Sequence, residues 1–266
     1  MIVRGTEAIR ARLAELVPGD VAAGPLPASF LSGPLAVDLA ERGVRFVPSL
    51  LCQMLTRSKC AQVEILSSFM APHTRAVRRR AELLQAVDDY ARLGIGAVVS
   101  KQEGLHCGHG VRRWESAEAL YNTVAFEEKG FPFVLQPFIE GLADVRVIVV
   151  GDYVEAYLRE NPFHFRANLA AGGTGRPFPM DPAAERFCRA VMARGRFPYA
   201  HLDLQLTPEG KCYLAEIALE AGAAAARIGR AELARRKREV LEQEIEAAAE
   251  GIAAKETETQ GEGKRG

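Results

Sequence analysis

Residues 100–111, S-K-Q-E-G-L-H-C-G-H-G-V, hold side chains for two different kinds of chemistry. Lys101 followed by Gly104, Gly108 and Gly110 suits phosphate. Glycines leave backbone N–H groups unshielded by a Cβ, and the lysine adds a full positive charge. His106, Cys107 and His109 suit instead a soft metal or a reactive thiol. The rest of the chain does not support that second reading. Zinc ligands usually come as C-x-x-C or H-x-x-x-H pairs with a second cluster elsewhere, whereas His164 and His201 stand alone. Adjacent residues on a strand also point to opposite faces, which would separate His106 from Cys107. On these residues alone, a glycine-rich hairpin with an incidental lysine fits as well as a phosphate loop. The segment matches neither the Walker pattern nor the strand–G-x-G-x-x-G–helix fingerprint.

A second constellation lies a hundred residues on. In H-L-D-L-Q-L-T-P-E-G-K-C-Y-L-A-E-I, two alternating runs flank Pro208-Glu209-Gly210, a turn signal. Pairing of the runs brings Asp203 and Glu216 to one face at one end of a sheet. Carboxylates without histidine or cysteine suit a hard cation such as Mg²⁺, which normally bridges nucleotide phosphates. Surface charge explains them less well, because Asp203 sits between Leu202 and Leu204 and Glu216 lies in Y-L-A-E-I.

The elements that must position these groups can be read from periodicity. Residues 6–17 carry apolar side chains at helical spacing, with Thr6 as the expected N-cap. A Pro/Gly-rich stretch follows, then helix, short strand and helix over 33–55. Residues 58–70 read as helix ending before Pro72, and 80–93 as an amphipathic helix. G-I-G-A-V-V-S-K is a short buried strand that delivers Lys101. From 131 the texture turns to strands, with Gly151-Asp152 as a hairpin signal between alternating runs. Residues 181–194 read as helix. Residues 230–249 are rich in Ala, Glu, Arg and Leu and form a strong helix, and the polar end beyond it is expected to be disordered. Helices alternating with antiparallel hairpins argue for an α+β protein, not a doubly wound parallel sheet.

Lysine plus arginine equals aspartate plus glutamate, 34 each, so no global field favours nucleic acid or a membrane surface. No run approaches the ~18 apolar residues of a membrane span. The opening M-I-V-R-G-T-E-A-I-R has no signal-peptide pattern, and the 5 cysteines are scattered without a C-x-x-C pair. A reducing, cytoplasmic address is the expectation.

The order of these parts resembles the ATP-grasp superfamily, and within it the RimK-like α-L-glutamate ligases. The resemblance runs through D-L-A-E-R-G-V-R-F-V-P-S (38–49), S-K-C-A-Q-V-E-I-L-S-S-F-M-A-P-H-T (58–74) and V-V-S-K-Q-E-G-L-H-C-G-H-G-V (98–111). It continues in F-V-L-Q-P-F-I-E-G (133–141), D-V-R-V-I-V-V-G-D-Y-V-E-A (144–156), F-R-A-N-L-A-A-G-G-T (165–174) and the 201–217 hairpin, covering roughly 36–228 in order. It implies an ATP-grasp fold, with two α/β subdomains holding ATP between antiparallel sheets. The implied layout is a short pre-grasp segment over 1–56, the grasp domain over 57–228, a C-terminal helix over 229–251 and a tail over 252–266.

The resemblance also implies roles. Lys59 and Lys101 hold nucleotide phosphates under a loop bearing Gly104, Gly108 and Gly110. Gln136, Phe138 and Ile139 belong to the hinge beside the adenine. Asp144 and Arg146 form the D-x-R element near the ribose and acceptor. Arg159 and Asn168 face the transferred phosphate and the substrate, with Arg166 as a further acceptor contact. Asp203 and Glu216 are Mg²⁺ ligands, Mn²⁺ being an alternative. The implied activity is ATP-dependent joining of a small-molecule or peptide carboxylate to an amine through an acyl phosphate. No nucleic acid or membrane partner is implied, and homo-oligomerisation is left open.

Departures from the family pattern stand beside these roles. Ala218 occupies the place of a usual asparagine ligand, with Glu220 or water as substitutes. Pro137 replaces a frequent hinge glutamate, and Gln102 follows Lys101 where proline is usual. Ala218 motivates an alternative function, a weakened ATP-grasp protein that binds Mg·ATP as a regulatory or scaffold module. A further option is partner recruitment through the 230–250 helix and the tail. With the carboxylate hairpin in place, Lys101 and the glycines fit a loop over ATP. His106, Cys107 and His109 then ride on that loop, with contact between His109 and a phosphate left open.

Overall fold

The computed structural model describes residues 1–105, 108–127 and 130–262. The expected bystander roles of His106 and Cys107 lie outside these residues, as do positions 263–266 of the expected tail. The chain forms two compact units.

The first unit comprises Met1–Met54, Arg196–Tyr199 and the chain from Ile228 onward. Strands β1 (Ile2–Arg4), β2 (Val21–Ala23) and β3 (Arg45–Val47) pair in parallel in that order. Helices α1 (Thr6–Ala11), α2 (Ala28–Leu31) and α3 (Pro34–Glu41) supply the crossovers, and α4 (Leu50–Leu55) leads out of the unit. Ile9, Leu16, Leu26, Phe30 and Leu39 fill its core. The segment expected to be a short lead-in thus has a parallel sheet and a core of its own. Helix α1 is shorter than the 6–17 periodicity predicts, and its N-cap is Gly5, not Thr6. The chain must turn sharply out of β1, and Gly5 does so at φ 82°. Proline at N1 of α3 follows the usual helix-start preference.

The second unit comprises Leu55–Gly195 and Ala200–Arg227. It opens with α5 (Lys59–Leu66), where Ser58 Oγ accepts from the Ala61 amide as an N-cap. Next come β4 (Arg75–Val77), α6 (Arg80–Arg92), β5 (Val98–Gln102), β6 (Val111–Trp114), α7 (Ala117–Val124) and β7 (Phe133–Pro137). The strands form an antiparallel sheet in the order β4-β7-β5-β6. Leu83, Ala86 and Tyr90 of α6 and Leu120 of α7 pack with Phe133 and Leu135 of β7, as the amphipathic spacing of 80–93 predicts.

The rest of the unit is β8 (Ala143–Val150), β9 (Tyr153–Glu160), β10 (Thr174–Pro177), α8 (Pro182–Gly195), β11 (Tyr199–Leu206) and β12 (Cys212–Ala218). Their sheet has the order β10-β9-β8-β11-β12. Both hairpins form where the turn residues place them, Gly151 at φ 58° and Gly210 at φ 82°. The chain closes with α9 (Arg230–Glu262), which packs Ile245 against Val21, Ala23 and Val47 of the first unit. Its backbone is helical to Glu262, past residue 251 where the tail was expected to begin. Among the described residues no helix is long and apolar enough to cross a membrane.

Candidate active site

The alternation of β8 and β9 puts a charged network on one face of the five-stranded sheet. Asp144 and Arg146 lie two apart on β8, opposite Arg159 and Tyr157 of β9 in register. Beside them on β11, Asp203 receives a bidentate pair from Arg146, Nε to Oδ1 at 2.7 Å and Nη2 to Oδ2 at 2.8 Å. Arg159 Nη2 lies 3.0 Å from Asp203 Oδ2, and its Nε donates to Asp144 Oδ1 at 2.7 Å. The guanidinium of Arg146 and the Tyr157 hydroxyl also converge on the Gly222 carbonyl, at 2.9 and 3.1 Å. Sequence reasoning named the charged members of this network but not Tyr157 or Gly222.

The carboxylate hairpin forms in the expected register, with Asp203 and Glu216 directly opposite. Facing Glu216 is Lys59 at the start of α5, Nζ to Oε1 at 3.6 Å. Lys59 Nζ also donates to the Leu105 carbonyl at 2.6 Å, joining α5 to the glycine loop. From β5, Lys101 reaches β12 and its Nζ donates to Ala215 O at 3.4 Å. Lys59, Lys101, Asp203 and Glu216 are thus brought together from four elements.

The glycine loop has backbone geometry that suits its composition. Gly104, Gly108 and Gly110 take φ of 74°, 79° and 74°, the left-handed region that L side chains avoid. At Gly108 a Cβ would also lie 2.7 Å from Asn168 Oδ1, so the Asn168 side chain would have to shift. The loop therefore closes against Asn168, which starts the short turn Leu169–Ala171. Arg166 nearby donates from Nε to the Val111 carbonyl at 2.8 Å and stacks on Phe165. Loop strand β6 and the 165–168 segment are thereby tied together. Glu103, which the sequence reading passed over, accepts from the Cys60 amide at 3.2 Å.

The residues expected to form the hinge sit at the end of β7 and just beyond it. Gln136 is buried, with Nε2 3.4 Å from Gln205 Oε1. Pro137 pairs with Val98 and carries no donor, and the Phe138 amide is already donated to Ala97 O at 2.8 Å. The Phe138 ring lies 4.1 Å beneath the Arg113 guanidinium and packs edge-on to Phe165. Ile139 follows, half-buried.

Electrostatics separates the two carboxylates on the β8 and β11 strands. Burial alone would push Asp203 up, but Arg146 and Arg159 outweigh it and hold the carboxyl well below the usual range. Asp144 goes the other way: burial raises it, Arg159 offsets part, the Asp203 charge raises it further, and Arg146 adds a smaller opposing pull. Burial pushes Lys101 down, against the opposing pull of Glu216, Asp144 and Asp203.

The donor set fits a hard divalent cation of the Mg²⁺ type. Such an ion takes one or two protein carboxylates and completes its shell with phosphates and water; the carboxylates paired in register at this strand end are Glu216 and Asp203, the latter also held by Arg146 and Arg159. Among the described residues no cluster of three or more His, Cys, Asp or Glu could hold a metal alone. Ala218 offers no donor, and Glu220 is exposed beyond the end of β12.

The profile of the RimK-like ATP-grasp domain matches residues 53–248. The chain belongs to the RimK-like ATP-grasp family. Comparison with curated protein sequences finds no match. Among solved structures, the ATP-grasp fold is similar to D-cycloserine synthetase DcsG, at TM-score 0.59 and 16% identity over 84% of this chain and 83% of that one. D-alanine–D-alanine ligase from Bacillus anthracis, solved with ATP, gives 0.57 and 14% over 93% and 84%. ATP-grasp ligase PsnB, solved with a minimal precursor variant, Mg and ADP, gives 0.54 and 16% over 83% and 67%. These similarities concern fold. Family membership places this ATP-grasp chain among ligases that use ATP to join a carboxylate to an amine.

Proposed function

We propose that this protein is an ATP-dependent carboxylate–amine ligase that works through an acyl phosphate. The supporting observation is the register pairing of Asp203 with Glu216, with Lys59 and Lys101 converging on the same strand end. Such an arrangement serves polyphosphate charge and supplies no nucleophile, so the chemistry is alignment and charge neutralisation. Solved relatives of the same fold hold ATP in one case and Mg with ADP in another, which favours the same ligands here.

In this reading, Lys59 and Lys101 hold the phosphates and the 104–110 loop covers them, excluding water from the acyl phosphate. Gln136, Phe138, Ile139 and Asp144 bound the nucleoside. Arg146, Arg159 and Asn168 orient the acceptor carboxylate and stabilise charge on the transferred phosphoryl. The acceptor oxygen attacks the γ-phosphorus and ADP departs. The amine nitrogen then attacks the acyl carbon, phosphate leaves, and the amine proton passes to solvent. Asp203 and Glu216 would hold Mg²⁺, or Mn²⁺, which when bound supplies Lewis-acid neutralisation of phosphoryl oxygens. Substrates are a small-molecule or peptide carboxylate and an amine.

The test is ADP and phosphate release with Mg·ATP and pools of amino acids or glutamyl peptides, with hydroxylamine present to trap an acyl phosphate as the hydroxamate. Amine-dependent release and hydroxamate formation are expected. Ala218, which offers no metal donor, favours a second reading in which the protein binds Mg·ATP without ligation. Tight ATP binding without turnover over any pool would select that reading.

A further inference from the structure

Strand β12 lies at the edge of its sheet, so every second residue presents its backbone N–H and C=O away from β11. Among the described residues no strand pairs with that side, yet its polar groups are met one after another by side chains. Lys101 donates to Ala215 O at 3.4 Å, and the Leu219 amide donates to Thr56 Oγ1 at 3.1 Å. Between them, Gln62 takes both groups of Ile217. Its Oε1 accepts from Ile217 N at 3.0 Å and its Nε2 donates to Ile217 O at 2.9 Å. That Nε2 also donates to Leu55 O at 2.7 Å, which fixes the amide from behind. Gln62 is 1% exposed.

The position of this contact matters more than its strength. Ile217 separates Glu216 from Ala218, whose side chains share one face of the strand by alternation. Gln62 also lies three residues after Lys59 on α5, one turn along the same helix face. One helix face therefore delivers the lysine that meets Glu216 and the amide that fixes the backbone beside it. With Ala218 contributing no donor, the cation site rests on Asp203 and Glu216. Asp203 is fixed by Arg146 and Arg159, while Glu216 has Lys59 at 3.6 Å and the charge of Lys101 nearby. The depth of Glu216 then depends on the backbone of β12.

We infer that Gln62 is a positioning residue for the cation site: its side-chain amide stands in for the missing neighbouring strand and sets where Glu216 presents its carboxylate. This inference rests on the proposed reading of Asp203 and Glu216 as metal ligands.

The experiment is Mn²⁺ binding to the full chain with ADP, followed by electron paramagnetic resonance, in parallel with thermal unfolding. Gln62→Leu is expected to raise the Mn²⁺ dissociation constant about tenfold, the low end of what loss of a ligand-orienting contact costs, because it frees the backbone next to Glu216. Thr56→Val removes the next edge contact at Leu219 and is expected to lower thermal stability while changing the constant less than about twofold. Gln62→Asn keeps the amide but withdraws it by one methylene; it is expected to fold and still to raise the constant several-fold, which decides the matter if the leucine variant does not fold. Unchanged Mn²⁺ affinity in folded Gln62 variants, or an equal shift in Thr56→Val, would overturn the inference and leave the ligand assignment standing. Failure of the unsubstituted protein to bind Mn²⁺ with ADP would overturn both.

Discussion

Replacing Asp203 by asparagine tests the charged network most directly. The carboxylate takes the bidentate pair from Arg146 and a further contact from Arg159, and its side chain is 12% exposed. Asparagine keeps one acceptor and turns an N–H donor toward the guanidinium groups. Removing one partner of a buried ion pair costs about 3–5 kcal/mol. Here Arg159 retains Asp144 at 2.7 Å and Arg146 retains Gly222 O at 2.9 Å, so we expect about 2–3 kcal/mol. For a chain of this size that lowers Tm by about 4–12 °C. The assay is urea unfolding of wild type and variant from pH 7 to pH 3, without nucleotide. Because the folded pKa of Asp203 is depressed, its stabilisation is complete above the unfolded value of about 3.9. It is lost as pH falls below that value through the folded one. The difference between the two proteins should therefore hold from pH 7 to about pH 5 and shrink on further acidification. A variant as stable as wild type at pH 7, or a difference that does not change with pH, would refute the reasoning.

Lys101→Ala removes a charge that the proposed function places on phosphate, and should weaken Mg·ADP binding by about 10–100-fold in calorimetry. Survival of nucleotide-induced thermal stabilisation in both Lys101→Ala and Asp203→Asn would mean the site is misassigned. Gly108→Ala combines a left-handed φ of 79° with a Cβ 2.7 Å from Asn168 Oδ1. It should raise KM for ATP several-fold while moving Tm by less than about 2 °C, because the loop opens and the core is untouched. Burial raises the thiols of Cys52 and Cys60 to about 11 and about 12, and Glu103 adds to the effect at Cys60. Alkylation at pH 8 followed by mass spectrometry should therefore leave both unmodified in the native protein and label them in urea.

The elements of the grasp were legible because each carries a local signal. Amphipathic spacing gave α6, turn residues gave both hairpins, and the two runs around Pro208-Glu209-Gly210 set Asp203 against Glu216. Hairpin register depends on neighbours in sequence, so a carboxylate pair across a turn can be read from the chain alone. The start of α1 was misread for the same local reason: Thr6 is a good cap by type, but the exit from β1 required the φ that Gly5 supplies.

What closes the site has no such signal. Gln62 and Ile217 are 155 residues apart, and nothing in A-Q-V-E announces an amide that completes a sheet edge. The bidentate hold of Arg146 on Asp203 joins strands 57 residues apart. Residue types and turn chemistry determined which groups could bind phosphate and a hard cation. Only the tertiary structure decided which arginines share Asp203, which side chains cover the outer edge of β12, and that Gly108 abuts Asn168. Those contacts depend on how α5, the sheets and the loop pack, and packing is a property of the whole chain, not of any window within it.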